Sequence, residues 1–281
     1  MAVTLDAVVL DRYPRFSLYN SPYAAHDEGA AVDLYPDTGD DGRGGPAPSP
    51  VAGEVIDTRT VDAPPKPHAT THDHLLLVDS GEYVARILHV DPAVSAGDRV
   101  AVGDSLGRLI RSGFFAPWVD DHIHLGFRPP DANHYRASGS LPLELGVDVC
   151  PAAWDGTGTV VEAGETYAVL DAPAHPDPGA AFAGVAATVD GTDCVLDGGF
   201  AHYEGGGVLG GSAGPVTLLD RRVGTSTGRT VAWDDVTVRA NGAPITGLSL
   251  FCGRESVGVK LVCPDQGFVA GDDVTVSLLR T

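Results

Sequence analysis

The chain has 281 residues and a formal net charge of −20, with 38 acidic residues against 18 basic ones. The negative electrostatic field of such a chain repels nucleic acid and anionic membrane surfaces, and the sequence contains no basic patch that would attract them. No apolar run approaches the length of a transmembrane helix, so the sequence predicts neither a nucleic-acid partner nor a membrane partner.

Short apolar runs separated by clusters of Gly, Pro and Asp predict an all-β protein, since helical periodicity is nearly absent. The strands predicted in the first half are 31–35, 54–58, 74–79, 83–89, 105–110 and 123–127. Those predicted in the second half are 158–162, 166–171, 184–190, 216–220, 230–238, 245–251, 256–263 and 274–279. We therefore predict an N-terminal β-sandwich or barrel over 1–130, a linker over 131–151 and a second β-sandwich-like domain of unknown role over 152–281.

The most informative run is Asp-Asp-His-Ile-His-Leu-Gly-Phe-Arg at 120–128, because it places His122 and His124 two residues apart in a predicted strand. Side chains at i and i+2 point to the same face of a strand, so both imidazoles would enter one site. Neutral imidazole is a good zinc ligand, and a strand fixes the distance between two of them. A surface pair in a polar loop is the alternative interpretation of a bare His-x-His.

Other polar residues precede this pair in a characteristic order. His26 and Asp33 stand in His-Asp-Glu-Gly-Ala-Ala-Val-Asp-Leu, and His89 lies in Arg-Ile-Leu-His-Val-Asp-Pro. Between the two ends lie Pro-Val-Ala-Gly-Glu-Val at 50–55 and a Gly-Asp-rich hairpin pattern at 94–109. The hairpin is shared with lipoyl-type barrels, but the five residues in order resemble the M23 family of zinc metallopeptidases, the LytM-type or lysostaphin-type endopeptidases with a duplicated hybrid motif fold.

The resemblance implies a zinc-dependent endopeptidase that cleaves a peptide bond in a Gly-rich stretch or a peptide cross-link. It implies that His26, Asp33 and His124 bind Zn²⁺ and leave one position open for water. It also implies that His89 and His122 lie beside the metal as catalytic residues. One of the two would help to deprotonate the attacking water, and both would stabilise the oxyanion.

Two features depart from the family pattern. His26 and Asp33 are seven residues apart instead of four, and an odd offset puts two side chains on opposite faces of a regular strand. His26 is therefore expected on a loop or bulge before the 31–35 strand, or Asp27 or Glu28 supplies the ligand. The second departure is that Asp120 and Asp121 replace the usual Gly-Pro before the His-x-His.

Two other functional classes remain open. The first is a non-catalytic member that binds a peptide or regulates a partner, and the second is a phosphocarrier that uses His89 and His122. The acidic composition resembles that of proteins adapted to high intracellular salt, although an ordinary acidic protein is the alternative. The N-terminal segment lacks the basic region of a secretory signal, so we expect a cytoplasmic location; the oligomeric state is left without a prediction.

Overall fold

The computed structural model describes residues 2–38 and 43–280. Strand accounts for 50% of the residues and helix for 4%, which confirms the all-β prediction with two successive β domains. The contacts define two compact units, one made of residues 2–16 and 30–146 and the other of residues 17–29 and 147–280. Within the described ranges, no helix is long and apolar enough to cross a membrane.

Among the described residues, the first part of the chain contains twelve strands, one short α-helix and one 3₁₀ segment. In chain order they are β1 Val3–Asp6, α1 Ala7–Leu10, β2 Arg15–Ser17, the 3₁₀ segment Ala24–Gly29, β3 Ala31–Tyr35, β4 Pro46–Pro48, β5 Gly53–Asp62, β6 His72–Asp79, β7 Val84–Leu88, β8 Val90–Pro92, β9 Arg99–Val100, β10 Ser105–Leu109, β11 Ile123–Arg128 and β12 Leu143–Gly146.

An antiparallel sheet with the order β9-β5-β6-β7-β11-β3 dominates the first unit. A three-stranded sheet, β4-β10-β8, and a parallel pair, β1-β12, complete it. In β6 the four consecutive residues 75–78 are all buried, so this strand is covered on both faces and reads as a continuous apolar run. Strands β3, β6, β7 and β11 begin and end within two residues of the predicted bounds, whereas β5 ends four residues later and β9 was not predicted. β12 lies inside 131–151, which was predicted as a linker, and the next strand, Val149–Ala152, begins there.

Fifteen further strands lie in the described part of the second unit. They are β13 Val149–Ala152, β14 Thr157–Ala163, β15 Tyr167–Leu170, β16 Phe182–Val189, β17 Thr192–Phe200, β18 Gly205–Leu209, β19 Gly214–Leu218, β20 Arg221–Thr227, β21 Thr230–Trp233, β22 Val236–Ala240, β23 Ala243–Pro244, β24 Gly247–Leu250, β25 Cys252–Gly253, β26 Lys260–Val262 and β27 Asp273–Arg280.

Six of these strands close into a barrel with the order β16-β17-β18-β21-β20-β19 and back to β16. Closure leaves no free edge among the six strands. Buried and exposed residues alternate along the strands, and the buried ones form the core. In β27, for example, Val274, Val276 and Leu278 are buried and their neighbours are not. Burying each such side chain is worth about 1.5–3 kcal/mol. The sequence predicted no strand at β17 or β18.

Candidate metal and catalytic site

The centre of the candidate site is a carboxylate between two imidazoles. Asp33 on β3 lies directly opposite His124 on β11. Nδ1 of His124 lies 3.1 Å from Oδ1 of Asp33, and Nε2 of His122 lies 3.4 Å from the same oxygen. All three residues are at most 6% exposed. The two imidazoles therefore reach one carboxylate, as their i, i+2 spacing predicts.

His26 lies outside β3, in the 3₁₀ segment Ala24–Gly29. Glu28 has a φ of +58°, and together with Asp27 it interrupts the segment before the strand begins. This kink is the local irregularity that the odd spacing of His26 and Asp33 required. Nδ1 of His26 lies 2.7 Å from the carbonyl oxygen of Leu18. Because a carbonyl only accepts, Nδ1 carries the proton and Nε2 is left with the lone pair that a metal needs.

Ligand atoms of His26, Asp33 and His124 all lie within 4.8 Å of one another. Two imidazoles and one carboxylate are a donor set typical of catalytic zinc sites, which keep a fourth position for water. The residues therefore fit Zn²⁺ by their chemistry and by their proximity. The rival ligands Asp27 and Glu28 are exposed and lie outside this cluster. The assignment of the three ligands stays a prediction.

His89 is held by a buried carboxylate that the sequence analysis did not identify. Asp73 on β6 is fully buried. Its Oδ1 accepts the backbone N–H of His89 at 2.9 Å and that of His74 at 2.6 Å. Its Oδ2 lies 2.5 Å from Nδ1 of His89. His89 directly follows β7 with a φ of +70°, so Asp73 holds both its ring and its unusual backbone.

The charge state of Asp73 decides the tautomer of His89. Burial raises the pKa of the Asp73 carboxyl, but the charge of His89 and hydrogen bonds from His89, Ser112 and His74 lower it well below its usual range. The carboxylate is therefore ionised and only accepts. Nδ1 of His89 carries the proton, and Nε2 is left with a lone pair.

His122 is fixed by its own set of neighbours. Its Nδ1 lies 2.9 Å from the carbonyl oxygen of Asp120, while its Nε2 faces the Asp33 carboxylate at 3.4 Å, so both ring nitrogens lie beside acceptors. The ring of Phe115 stacks on it at 4.5 Å, and the ring of Tyr35 lies 5.0 Å away. The ring of His89 meets it edge-on at 5.1 Å between centroids. The two predicted catalytic histidines are therefore neighbours, and Phe115 also contacts His89 at 4.6 Å.

The two aspartates that depart from the family pattern are both paired. The side chain of Asp121 is 3.1 Å from Nη1 of Arg111 and accepts the backbone N–H of Gly44 at 2.8 Å. The carboxylate of Asp120 forms an ion pair with Arg15. Neither aspartate is part of the ligand cluster. Asp120 contributes instead through its carbonyl, which orients His122.

A cavity of about 630 Å³ lies in the second unit, and its wall includes His26. Aromatic and acidic side chains dominate the lining, among them Tyr19, Tyr23, His202, Tyr203 and Glu204. Burial lowers the pKa of His202 to about 4, although its hydrogen bond to the Phe200 carbonyl opposes the shift. His202 is therefore neutral at physiological pH. His26 is thus both a wall residue of this cavity and a member of the ligand cluster.

The fold and the site define a protein of two β units with a candidate metal centre. Residues 4–145 match the family model described as Domain of unknown function (DUF8155) N-terminal domain, and residues 150–279 match the DUF8155 C-terminal domain. The chain therefore belongs to the DUF8155 family. Among solved structures it is similar to one entitled "NMR solution structure of lysostaphin", with 12% identity, a TM-score of 0.29, and coverage of 96% of this chain and 98% of that one. No curated protein matches the chain.

Proposed function

We propose that this protein is a zinc-dependent hydrolase that cleaves a peptide bond. The observation that carries the proposal is the cluster of His26, Asp33 and His124 ligand atoms, next to two histidines whose Nδ1 atoms are both occupied. Zinc, once held by the three residues, would lower the pKa of a water molecule and polarise the scissile carbonyl. Proton transfer and stabilisation of the oxyanion are then the work of His89 and His122.

His89 is suited to move the proton of the reaction. Its Nε2 takes a proton from the attacking water, while Asp73 holds the other ring proton on Nδ1 and stabilises the imidazolium. The water oxygen bonds to the carbonyl carbon, the C–N bond breaks, and Nε2 returns the proton to the leaving amine. His122, when protonated, donates from Nε2 to the developing oxyanion. Phe115 covers both rings and limits the access of bulk water to them.

The partner in this proposal is a peptide, and the cavity beside His26 offers a surface for it. Its aromatic lining suits the apolar and backbone parts of a peptide, which is the usual composition of a binding site. The substrate class suggested by the family resemblance is a Gly-rich stretch or a cross-link peptide. The cytoplasm is part of the proposal, because a dense acidic composition suits a cytoplasm rich in salt.

A second candidate is a non-catalytic protein that binds a peptide on the same surface. The cavity favours it, because a cavity lined by aromatic rings is a binding feature whether or not hydrolysis follows. A phosphocarrier that uses the neighbouring His89 and His122 has less support, since it gives no role to Asp33 and His26. The two alternatives differ from the hydrolase in their need for zinc and in their products.

Metal analysis of protein purified without chelator tests the proposal. We expect about one zinc per chain, and we expect His124→Ala to lose it, because two remaining ligands are too few for a stable site. His72→Ala is the matched control, since His72 is exposed on β6 and outside the cluster. Equal zinc in the parent and in His124→Ala would overturn the ligand assignment.

Activity is then measured on quenched fluorescent peptides, including oligoglycine and branched cross-link peptides. Cleavage that needs zinc supports the hydrolase. Zinc binding with peptide binding but no cleavage of any peptide supports the non-catalytic candidate. A protein without zinc that accepts a phosphoryl group on a histidine supports the phosphocarrier and excludes the other two.

A further inference from the structure

The second unit contains a buried carboxylate at the base of the segment that leads to His26. Asp197 lies on β17 and is fully buried. Its Oδ1 accepts the hydroxyl of Ser17 at 2.5 Å, and its Oδ2 accepts the backbone N–H of Leu18 at 2.6 Å and that of Tyr19 at 3.3 Å. Burial raises the pKa of Asp197 to about 7, although these hydrogen bonds and the charge of His26 oppose the rise.

A short path of hydrogen bonds connects this carboxylate to the candidate ligand. Leu18 donates its N–H to Asp197, and its carbonyl oxygen lies 2.7 Å from Nδ1 of His26. Ser17 accepts the backbone N–H of Asn20 at 2.9 Å through the same hydroxyl that it donates to Asp197. The carboxylate therefore fixes the peptide groups of 17–20, and one of those groups fixes the ring of His26.

Two glycines of the barrel make room for the same segment. A Cβ on Gly207 would lie 2.1 Å from the ring of Tyr19, so no larger residue fits there without a shift. Gly198 has a φ of +127°, and a Cβ on it would lie 2.9 Å from the carbonyl oxygen of Tyr19. The glycine-rich run on β18 and the Gly-Gly pair after Asp197 thus let the backbone at Tyr19 approach the two strands closely.

We propose that Asp197 is a positioning residue for the candidate ligand His26, and that it acts through the peptide groups of 17–20. The inference rests on the proposed function, because it presumes that His26 binds zinc. Metal-bound histidines commonly have their second ring nitrogen held by a carbonyl or carboxylate, and the loss of such a partner weakens metal binding by about 10–100-fold. Here the carbonyl belongs to Leu18, and Asp197 holds that peptide in place from the barrel.

The test measures zinc affinity of the full chain by competition with a chelator, with circular dichroism as the check on folding. Asp197→Ala should raise the Kd for zinc by about 10–100-fold. Asp197→Asn should recover most of the affinity, because an amide oxygen still accepts from Leu18 and the amide nitrogen can donate to Ser17. Ser226→Ala is the control, since it removes another buried hydroxyl of the barrel, which donates to the Ser212 carbonyl at 2.5 Å.

Ser17→Ala is the second variant in case Asp197→Ala does not fold. It removes one connection between the carboxylate and the segment and should raise the Kd by roughly threefold or more. Nitrogen-15 NMR of the histidine rings is a second measurement: His26 should carry its proton on Nδ1 in the parent and exchange between tautomers when the carboxylate is removed.

The outcomes separate this inference from the proposed function. A parent that binds zinc, with an unchanged Kd in the folded Asp197→Ala or Ser17→Ala variant, overturns the role of Asp197 alone. Zinc loss in the variants together with a parent that cleaves no peptide supports the role of Asp197 and overturns hydrolysis. A parent that binds no zinc overturns both.

Discussion

Replacing Asp73 by Asn separates the role of His89 in proton transfer from its place in the fold. Two backbone N–H groups point at Oδ1 of Asp73, from His74 at 2.6 Å and from His89 at 2.9 Å. An asparagine must place its single oxygen there, because its NH₂ group would meet two donors. The NH₂ group then faces Nδ1 of His89, where the carboxylate oxygen lay at 2.5 Å. A donor in that position forces the ring proton from Nδ1 to Nε2, and Nε2 is no longer a base.

The expected magnitude follows from this change of tautomer. Loss of a general base typically lowers turnover by about 10²–10⁴-fold, so kcat of Asp73→Asn should fall by at least about 10²-fold. KM should change little, because Asp73 lies behind His89 and is fully buried. The backbone hydrogen bonds survive, so the loss of one charge-assisted bond costs about 1.5–3 kcal/mol. That loss lowers the melting temperature by roughly 3–12 °C.

Three measurements check the prediction together: peptidase kinetics, zinc content and nitrogen-15 NMR of the imidazole rings. Zinc should be retained, and the His89 signals should change from the Nδ1–H to the Nε2–H tautomer. Asp79→Asn is the matched control, since it makes the same substitution on the same strand at an exposed position. A folded Asp73→Asn variant with the turnover of the parent would refute the role given to the Asp73–His89 pair.

Two further predictions concern the catalytic histidines and the charge of the chain. His89→Ala and His122→Ala should each retain zinc while turnover falls by about 10²-fold or more; zinc loss in His122→Ala would show that His122 and His124 have exchanged roles. The melting temperature should rise steeply across a potassium chloride series, because a net charge of −20 opposes the compact state until it is screened. Full stability in dilute buffer, with a flat series, would contradict adaptation to high salt.

The large sheet of the first unit could be predicted because its residues obey local rules. The predicted strands at 31–35 and 123–127 correspond to β3 Ala31–Tyr35 and β11 Ile123–Arg128. Both are short apolar runs bounded by turn residues, and the i, i+2 spacing then brings His122 and His124 to one carboxylate. The odd spacing of His26 likewise indicated an irregular backbone, which the 3₁₀ segment provides.

Strands β17 and β18 were missed because their residues oppose strand propensity. Aspartate and glycine are both depleted in strands, and Asp197 is followed by two glycines while β18 begins with three. Asp197 finds its hydroxyl partner in Ser17, which is 180 residues away in the sequence. A local sequence pattern cannot reveal a contact between two residues that lie so far apart in the chain. These strands are stabilised by pairing with β16, β21 and β24 and by contacts with the distant segment 17–20, none of which a local pattern shows.

The same reasoning explains why Asp73 and Asp197 were not among the predicted site residues. Each is a fully buried aspartate, and a buried charge is costly unless hydrogen bonds compensate for it. Each has its hydrogen bonds, and in both cases those bonds lead to a histidine of the candidate site, directly to His89 or through Leu18 to His26. Residues that break a local rule are expected at functional sites. The sequence alone does not show that these two aspartates are buried, and identifying the histidine that each one contacts required the three-dimensional pairing.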